Sequence, residues 1–533
     1  MVATEVGKDR LQRDSAAEAA SNRLLLPLVF VGGFTSLAIE LAGSRLLAPY
    51  FGTSLYIWAV LVGLVLLYLT AGYFIGGRLG DRKPSPRVLF QLAAWAAFLT
   101  GLIPLIARPI LGFSSVGFAN LDAGVFLGSL FGVVLLFAAP ITLLGCISPF
   151  AIRLAMRDVA RAGNTAGAIY ALSTVGSILG TIVPVFVLVP NVGTPRTFYV
   201  LSLALLGLAV AGLWGYRNWY CWLLLPVACL AVLPESVLRP AAFGKLIYAG
   251  ESAYYYVQVV QQDTPSGPQN NLILDEGHAV HSIYNPGQLL TGGPWDYFMV
   301  APYFNAGQRP ADVRSAAIIG LAAGTVARDL STAYGPIPID GVEIDPKIIE
   351  VGRKYFDMNE PNLHAIAQDG RYYITTTPKR YDLIGIDAYR QPYIPFHLTT
   401  RQFFQQVHDH LTPTGVAVIN AGRTETDYRL VDVIGSTMKA VFPSVYVIDL
   451  PKPQINSIIV GTNQPTQLGS FAANAGTLTD PLLQQVASTA LTQGRIWEVT
   501  SAPTVFTDDW APVEKVIDEI ILGYARSGTG EIR

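Results

Sequence analysis

The chain has 533 residues, of which 51% are hydrophobic and only 14% charged, with a formal net charge of −2 at pH 7. Soluble proteins of this size carry roughly a quarter charged residues, so a wholly soluble chain is excluded. No basic tract stands out in the near-neutral balance, which leaves no basis for nucleic acid as a partner.

Charges are sparse from Leu24 to about Pro234, whereas Arg239 to Arg533 reads as an ordinary globular sequence, so a membrane half precedes a soluble half. Residues 1–23 carry charges of both signs without a signal-peptide layout and form a tail before the first span. Seven apolar stretches, each near the roughly 20 residues that cross a bilayer, follow. They lie at Leu24–Leu47, Leu55–Ile75, Val88–Ala107, Val125–Ile147, Ala166–Val189, Thr197–Trp214 and Trp219–Leu233. In hydrocarbon every backbone amide needs an internal partner, so these are helices, and they make a multi-pass membrane domain over residues 24–235. Their Gly and Ala content, as in Ser177-Ile-Leu-Gly180, is that of helices that pack closely. Cys146, Cys221 and Cys229 all fall inside apolar runs, read as small buried hydrophobes, and show no metal spacing.

Arg and Lys cluster after the second stretch (Arg78, Arg82, Lys83, Arg87) and after the fourth (Arg153, Arg157, Arg161), which marks these loops as cytoplasmic. The N-terminus is then inside, and seven full crossings would put residue 240 onward outside. A cytoplasmic C-terminal domain at the cell membrane, the expectation adopted, requires an interfacial or re-entrant last stretch or a miscounted span. Gly76-Gly-Arg-Leu-Gly-Asp-Arg-Lys83 resembles the loop between the second and third helices of major facilitator transporters, where it forms a gating latch; the alternative is a tight, lipid-anchored turn. Glu40 and Arg45 read as an ion pair, either inside the first span or at its interface.

Residues 245–305, rich in Tyr, Val and turn pairs, read as a small β domain, and residues 306–533 as a Rossmann-like α/β domain. Ala316-Ala-Ile-Ile319 leads into Gly320-Leu-Ala-Ala-Gly-Thr325 and a helix. A second strand ends on Glu343, a third leads to Gln368-Asp369-Gly370, and a fourth ends at Asp387. Strand–helix alternation of this kind makes a mostly parallel sheet whose ligands sit outside the carboxyl ends of the strands, so these residues share one crevice. Gly320 and Gly324 let the backbone approach a ligand, and Glu343 stands at the spacing from which a carboxylate accepts both ribose hydroxyls. Asp369 is placed to accept from an adenine amino group. Without a Gly-Lys-Ser/Thr phosphate cradle, a nucleoside fits better than a nucleotide.

These motifs, with Glu251-Ser-Ala-Tyr-Tyr-Tyr256, Leu274-Asp-Glu-Gly277, Asp369-Gly-Arg371, Leu398-Thr-Thr and Thr507-Asp-Asp-Trp-Ala-Pro-Val-Glu514, resemble the spermidine synthase (polyamine aminopropyltransferase) family, in its membrane-fused bacterial branch. The resemblance covers roughly Gly250 to Glu514. It implies transfer of an aminopropyl group from decarboxylated S-adenosylmethionine to a polyamine, release of methylthioadenosine, no metal, and a homodimer in contact with membrane lipid. Asp387 matches the catalytic aspartate. Gly320, Ala322, Ala323, Gly324, Glu343, Ile344, Asp369 and Gly370 match the donor site. Tyr255, Asp275, His281, Trp295, Asp296, Tyr297 and Tyr389 fall at or near the amine site.

Departures fall on the amine and donor-amino ends. Ala323 stands where the family's turn carries an acid, Arg390 where an acid follows the catalytic Asp, and Asp296-Tyr297-Phe298 where amine-channel residues align. Aromatic faces can hold cationic amines, or Tyr254 to Tyr256 can simply pack a hairpin. Three functions remain in view: an aminopropyltransferase, a methyltransferase using intact S-adenosylmethionine, and a polyamine or nucleoside sensor or transporter with a degenerate synthase domain.

Overall fold

The computed structural model describes residues 21–527 apart from 53, 118–123, 157, 217, 234–236, 276, 278 and 391. Residues 1–20 of the expected tail, Arg157 and Glu276 therefore lie outside the described residues. The chain divides into two compact units, one of Met1–Pro240 with Gly250–Tyr256, the other of Ala241–Ala249 with Val257–Arg533.

The first unit is helical: α1 (Leu25–Phe51), α2 (Leu55–Arg82), α3 (Pro86–Gly117), α4 (Gly124–Gly145), α5 (Ile147–Ala155), α6 (Ala162–Val183), α7 (Val189–Leu213) and α8 (Leu224–Val232). Among the described residues five apolar helical runs are long enough to cross a membrane, and the last is a 55-residue run, Val159–Leu213. That run turns at Gly193, whose φ of 81° and ψ of 165° are non-helical, so α6 and α7 are separate passes. Helix α1 is central: it packs on α2 to α7, and none of its residues after Pro27 is exposed.

Glycine sets the helix spacing. A Cβ on Gly176 would stand 2.2 Å from the Phe30 carbonyl oxygen, one on Gly180 2.1 Å from that of Phe34, and one on Gly33 2.2 Å from that of Ser173. Helices α1 and α6 therefore touch backbone to backbone, and Ser177 Oγ donates across the seam to Gly33 O (3.1 Å).

The two ends of the bundle differ. At one end Ser21 Oγ donates to Gly212 O (2.7 Å), and Arg153 Nε donates to Asp81 Oδ1 (3.0 Å), tying the two basic loops. The latch-like loop thus holds one exposed ion pair, worth about 0–1 kcal/mol. After α7 the chain runs back to the other end. Arg87 lies over the Tyr216 ring (5.9 Å), Val227 faces Gly101 midway along α3, and Tyr50 Oη at the end of α1 donates to Leu238 O (2.6 Å). The six residues Asn218–Leu223 form a 3-10 turn and α8 has nine, so at about 2.0 and 1.5 Å per residue they span about 26 Å. The seventh apolar stretch therefore runs from end to end rather than lying along one end.

Glu40 and Arg45 do not pair. The Arg45 guanidinium donates to the carbonyls of Tyr254 (2.9 Å) and Ser252, and Arg239 Nη1 donates to Pro49 O (2.8 Å). Glu251 accepts from Thr194 N (2.6 Å) and Thr194 Oγ1 (2.5 Å), just past the Gly193 turn. Residues 238–239 and 250–256 thus sit at the end of the unit away from the basic loops.

The second unit holds an antiparallel sheet of β1 (Lys245–Glu251), β2 (Tyr256–Thr264), β3 (Gly267–Leu274) and β4 (Val280–Tyr284), in that order. A 3-10 segment, Pro294–Phe304, is buried throughout. Next come β5 (Ala316–Ile319), α9 (Thr325–Tyr334), β6 (Ile339–Glu343), α10 (Pro346–Tyr355), β7 (Leu363–Ala367), α11 (Gly370–Thr376) and β8 (Tyr381–Ile386). Then α12 (Arg401–Asp409), β9 (Leu411–Gly422), α13 (Arg429–Lys439), β10 (Ser444–Asp449), β11 (Asn456–Thr462), α14 (Leu468–Ala475), α15 (Pro481–Thr492), β12 (Arg495–Glu498) and α16 (Val513–Ser527) complete it.

The large sheet runs β12-β10-β11-β9-β8-β5-β6-β7. Pairing is parallel from β7 through β9 and antiparallel where β11 and β10 enter, a Rossmann-like arrangement of the methyltransferase type. Its direction of growth reverses between β5 and β8, and a crevice opens at such a switch point. Buried aliphatic strands suit a sheet covered on both faces.

Replacing Gly180 by Leu should separate α1 from α6 and cost about 3 kcal/mol. It is measured as a lower unfolding temperature in detergent. Gly167→Leu, where an added Cβ meets nothing within 4 Å, should leave it unchanged.

Candidate nucleoside and amine site

The turn after β5 crosses the end of β8. Gly320 has φ 88°, and a Cβ there would stand 2.5 Å from Asp387 O, so only glycine passes. Asp387 N donates to Ile319 O (2.8 Å), while Gly320 N and Leu321 N both donate to Val342 O (2.9 and 3.0 Å). Three strand ends are thereby fastened to one turn. Ala322 is held at φ 48°, a left-handed conformation of the kind that clusters at ligand sites. Ala323 N donates to Ser282 Oγ (3.0 Å), so β4 braces the turn, and Gly324 caps α9.

Glu343, at the end of β6, is buried. Ala322 N donates to its Oε2 (2.9 Å) and Asp345 N to its Oε1 (3.1 Å). Burial pushes its carboxyl up to about 7, against the pull of those amides. The Ile344 amide acts on the same carboxyl. Ile344 continues the strand toward Asp345, which caps α10 by accepting from Lys347 N (2.9 Å).

Asp369 caps α11, accepting from Tyr372 N (2.8 Å), with His397 Nε2 3.4 Å from its other oxygen. Gly370 is needed because a Cβ would lie 2.3 Å from Ile319 Cγ2. Arg371 grips Asp508 with both terminal nitrogens (2.8 and 2.7 Å), and Thr400 Oγ1 also donates to Asp508 (2.6 Å). The Thr507–Trp510 turn therefore anchors the segment that carries Asp369.

Asp387 is half-buried. Trp295 Nε1 donates to one oxygen (2.8 Å) and Asn420 Nδ2 to the other (2.9 Å). Asn456 Nδ2 donates to Asn420 Oδ1 (3.0 Å), which turns the Asn420 amide group toward Asp387. Burial pushes the Asp387 carboxyl up to about 6, and the two donors restrain the rise. Both donors are neutral, so they orient the carboxylate without cancelling its charge.

The remaining predicted residues take the following places. Asp296 caps a loop, accepting from Thr291 N (3.0 Å), Thr291 Oγ1 (2.8 Å) and Gly292 N (2.8 Å), so its carboxylate is spent locally rather than offered to an amine. Tyr389 Oη donates to Asn420 O (3.0 Å) and accepts from Gly422 N (3.1 Å), stapling the loop after β8 to β9. Tyr297 is buried and pushed up to about 12, so it stays a neutral phenol. Burial drives His281 down to about 4, and its Nε2 is a buried atom without a partner among the described residues. Asp275 is buried with φ 43° beside the β3–β4 turn. Tyr255 groups with the helical unit.

Sequence reasoning overlooked Asn420 and Asn456, and gave no role to Thr400 and Asp508 although both fall inside its motifs. Asn420 stands near the end of β9, where the same strand-end rule would have found it.

Residues 306–466 match the model of the spermine/spermidine synthase domain. A probable polyamine aminopropyl transferase of Bifidobacterium longum (strain NCC 2705) is 30% identical over 296 residues, covering 52% of this chain and 64% of that protein. A polyamine aminopropyltransferase of Vibrio vulnificus (strain CMCP6) is 33% identical over 156 residues, covering 28% and 51%. The chain spans between half and two thirds of the length of these relatives. Among solved structures, a probable spermidine synthase from Corynebacterium glutamicum ATCC 13032 aligns at 21% identity and a TM-score of 0.37, over 47% of this chain and 95% of that one. The match to the spermine/spermidine synthase domain thus falls inside the C-terminal unit, with additional helices before it in the chain.

Gly320→Ala should cost about 2–4 kcal/mol through positive φ and overlap with Asp387. It should lower the unfolding temperature of the purified chain, read by differential scanning calorimetry.

Proposed function

We propose that the chain is an aminopropyltransferase that moves the aminopropyl group of decarboxylated S-adenosylmethionine onto a polyamine and releases methylthioadenosine. The observation that carries this reading is the Asp387 carboxylate. It stands at the switch point of the sheet, oriented by two neutral donors and raised to about 6. A polyamine is mostly protonated near neutral pH, so its nitrogen must lose a proton before it can attack. An acceptor with a pKa near the working pH is suited to that transfer.

In the proposed reaction an ammonium binds Asp387 and passes it a proton. The freed lone pair attacks the methylene carbon next to the sulfonium. A carbon–nitrogen bond forms as the carbon–sulfur bond breaks, and its electron pair returns to sulfur to give the neutral thioether. Trp295 and Asn420 act as positioning residues that hold the Asp387 lone pairs in line. Glu343 accepts the ribose hydroxyls and Asp369 the adenine amino group, with Ala322, Ala323, Gly324, Ile344 and Gly370 shaping the pocket wall. Ala323 supplies no charge for the donor's amino end, so aromatic faces such as those of Trp295 and Tyr297 are left to meet it.

The helical unit is read as lying in the cell membrane in contact with lipid, and the assembly as a homodimer. Its exit point supports one side. The chain leaves near Arg239, at the end away from Arg78, Arg82, Lys83, Arg87, Arg153 and Arg161. The positive-inside rule then puts everything from Ala241 onward on the non-cytoplasmic side, in place of the cytoplasmic location expected from sequence. The reason is the seventh stretch, which a helix of only nine residues extends far enough because a 3-10 turn precedes it.

Two measurements check this reading. Asp387→Asn should lower turnover by about 10²–10⁴-fold while methylthioadenosine still binds, and wild-type kcat/KM should fall as pH drops through about 6. Trp295→Phe removes a donor to the anion, raises the Asp387 pKa, and so should move that acid limb to higher pH; a limb that stays in place contradicts the assignment. Gln493, exposed on the second unit, gives the side. In a background without native cysteines, Gln493→Cys should react with an impermeant maleimide on intact cells. Labelling only after lysis would return the unit to the cytoplasm.

A further inference from the structure

The helical unit contains a carboxylate that the proposed chemistry does not use. Glu40 lies in the apolar run of α1, the central helix, and is half-buried. No hydrogen bond or ion pair reaches it among the described residues. Arg45, the cation nearest in sequence, is committed to the carbonyls of Ser252 and Tyr254. One turn before Glu40, on the same helix face, Ser36 is 6% exposed and its Oγ has no partner, and the hydroxyl of the adjacent Thr35 is likewise buried and unpaired. Ser and Thr in apolar helices usually return their hydroxyl to the preceding turn, as Thr100 does to Ala96 O (2.8 Å). Here that bond is absent, so a carboxylate and a hydroxyl share one face with open hydrogen-bonding capacity.

We propose that Glu40 and Ser36 form a binding site for a protonated amine inside the helical unit. An ammonium brings one positive charge and three donors, which a carboxylate and a hydroxyl acceptor can meet. A divalent metal is a poorer fit, because no group of three or more metal-ligating side chains occurs among the described residues. An unpaired acid among membrane helices is costly unless it is protonated or meets a cation. The inference rests on the membrane placement proposed above, and it gives the helices a ligand class in common with the C-terminal unit. Both the amine and the sulfonium donor are cations that must reach that unit.

The test uses the full-length chain in lipid nanodiscs, dicyclohexylcarbodiimide as the carboxyl reagent and spermidine as the amine. Mass spectrometry should find Glu40 modified, and saturating spermidine should suppress that modification about tenfold or more. Glu40→Gln should bind one amine fewer per chain, and Ser36→Ala should weaken protection. Should Glu40→Gln misfold, protection in the wild type decides alone. Modification untouched by spermidine would mean that Glu40 carries only a proton, and no modification would mean that no open site exists; either overturns the proposal. Methylthioadenosine release from the same preparation reports separately on the transferase reading.

Discussion

The carbonyl of Asp387 and the turn after β5 compete for one space, and glycine at 320 is the only resolution. Because that turn passes so close, the ends of β5, β6 and β8 are tied by three backbone bonds among Ile319, Gly320, Leu321, Val342 and Asp387. Everything chemical in the C-terminal unit hangs on this knot. It sets Glu343 against the Ala322 amide and brings Asp387 under Trp295 and Asn420. One buried and one half-buried carboxyl thus stand a few residues from one backbone crossing. Their environments raise both, by desolvation, toward neutral pH.

The parts of this site that were legible in the sequence are those that obey periodicity. Hydrophobic strands ending on Glu343 and Asp387 announce themselves, because a parallel sheet directs every carboxyl end into one crevice. What was illegible depends on local hydrogen bonding with no period. Asp296, next to Trp295 and Tyr297, reads as an amine contact, yet the amides of Thr291 and Gly292 take its oxygens. Tyr389 follows the base by two residues, yet its hydroxyl closes onto β9. Asp508 lies 137 residues from Arg371 in sequence, and only the fold shows that they grip each other.

In the helical unit, composition predicted the apolar runs but not their ends. Glycine contacts between α1 and α6 are visible as small residues, whereas the kink at Gly193 and the return through Asn218–Val232 need backbone geometry. The Glu40–Arg45 pair was drawn from proximity in sequence. Carbonyls of Ser252 and Tyr254 offered Arg45 better geometry, and Glu40 was left without a partner. That exchange ties the point where the chain rejoins the bundle to its central helix.

The most direct measurement incubates purified full-length protein with decarboxylated S-adenosylmethionine and a panel of di-, tri- and tetra-amines, and follows both products by mass. The account predicts methylthioadenosine in equal amount with one amine heavier by a single aminopropyl unit. Methylthioadenosine binding without any heavier amine, across the whole panel, would contradict it and leave the domain a nucleoside-binding module.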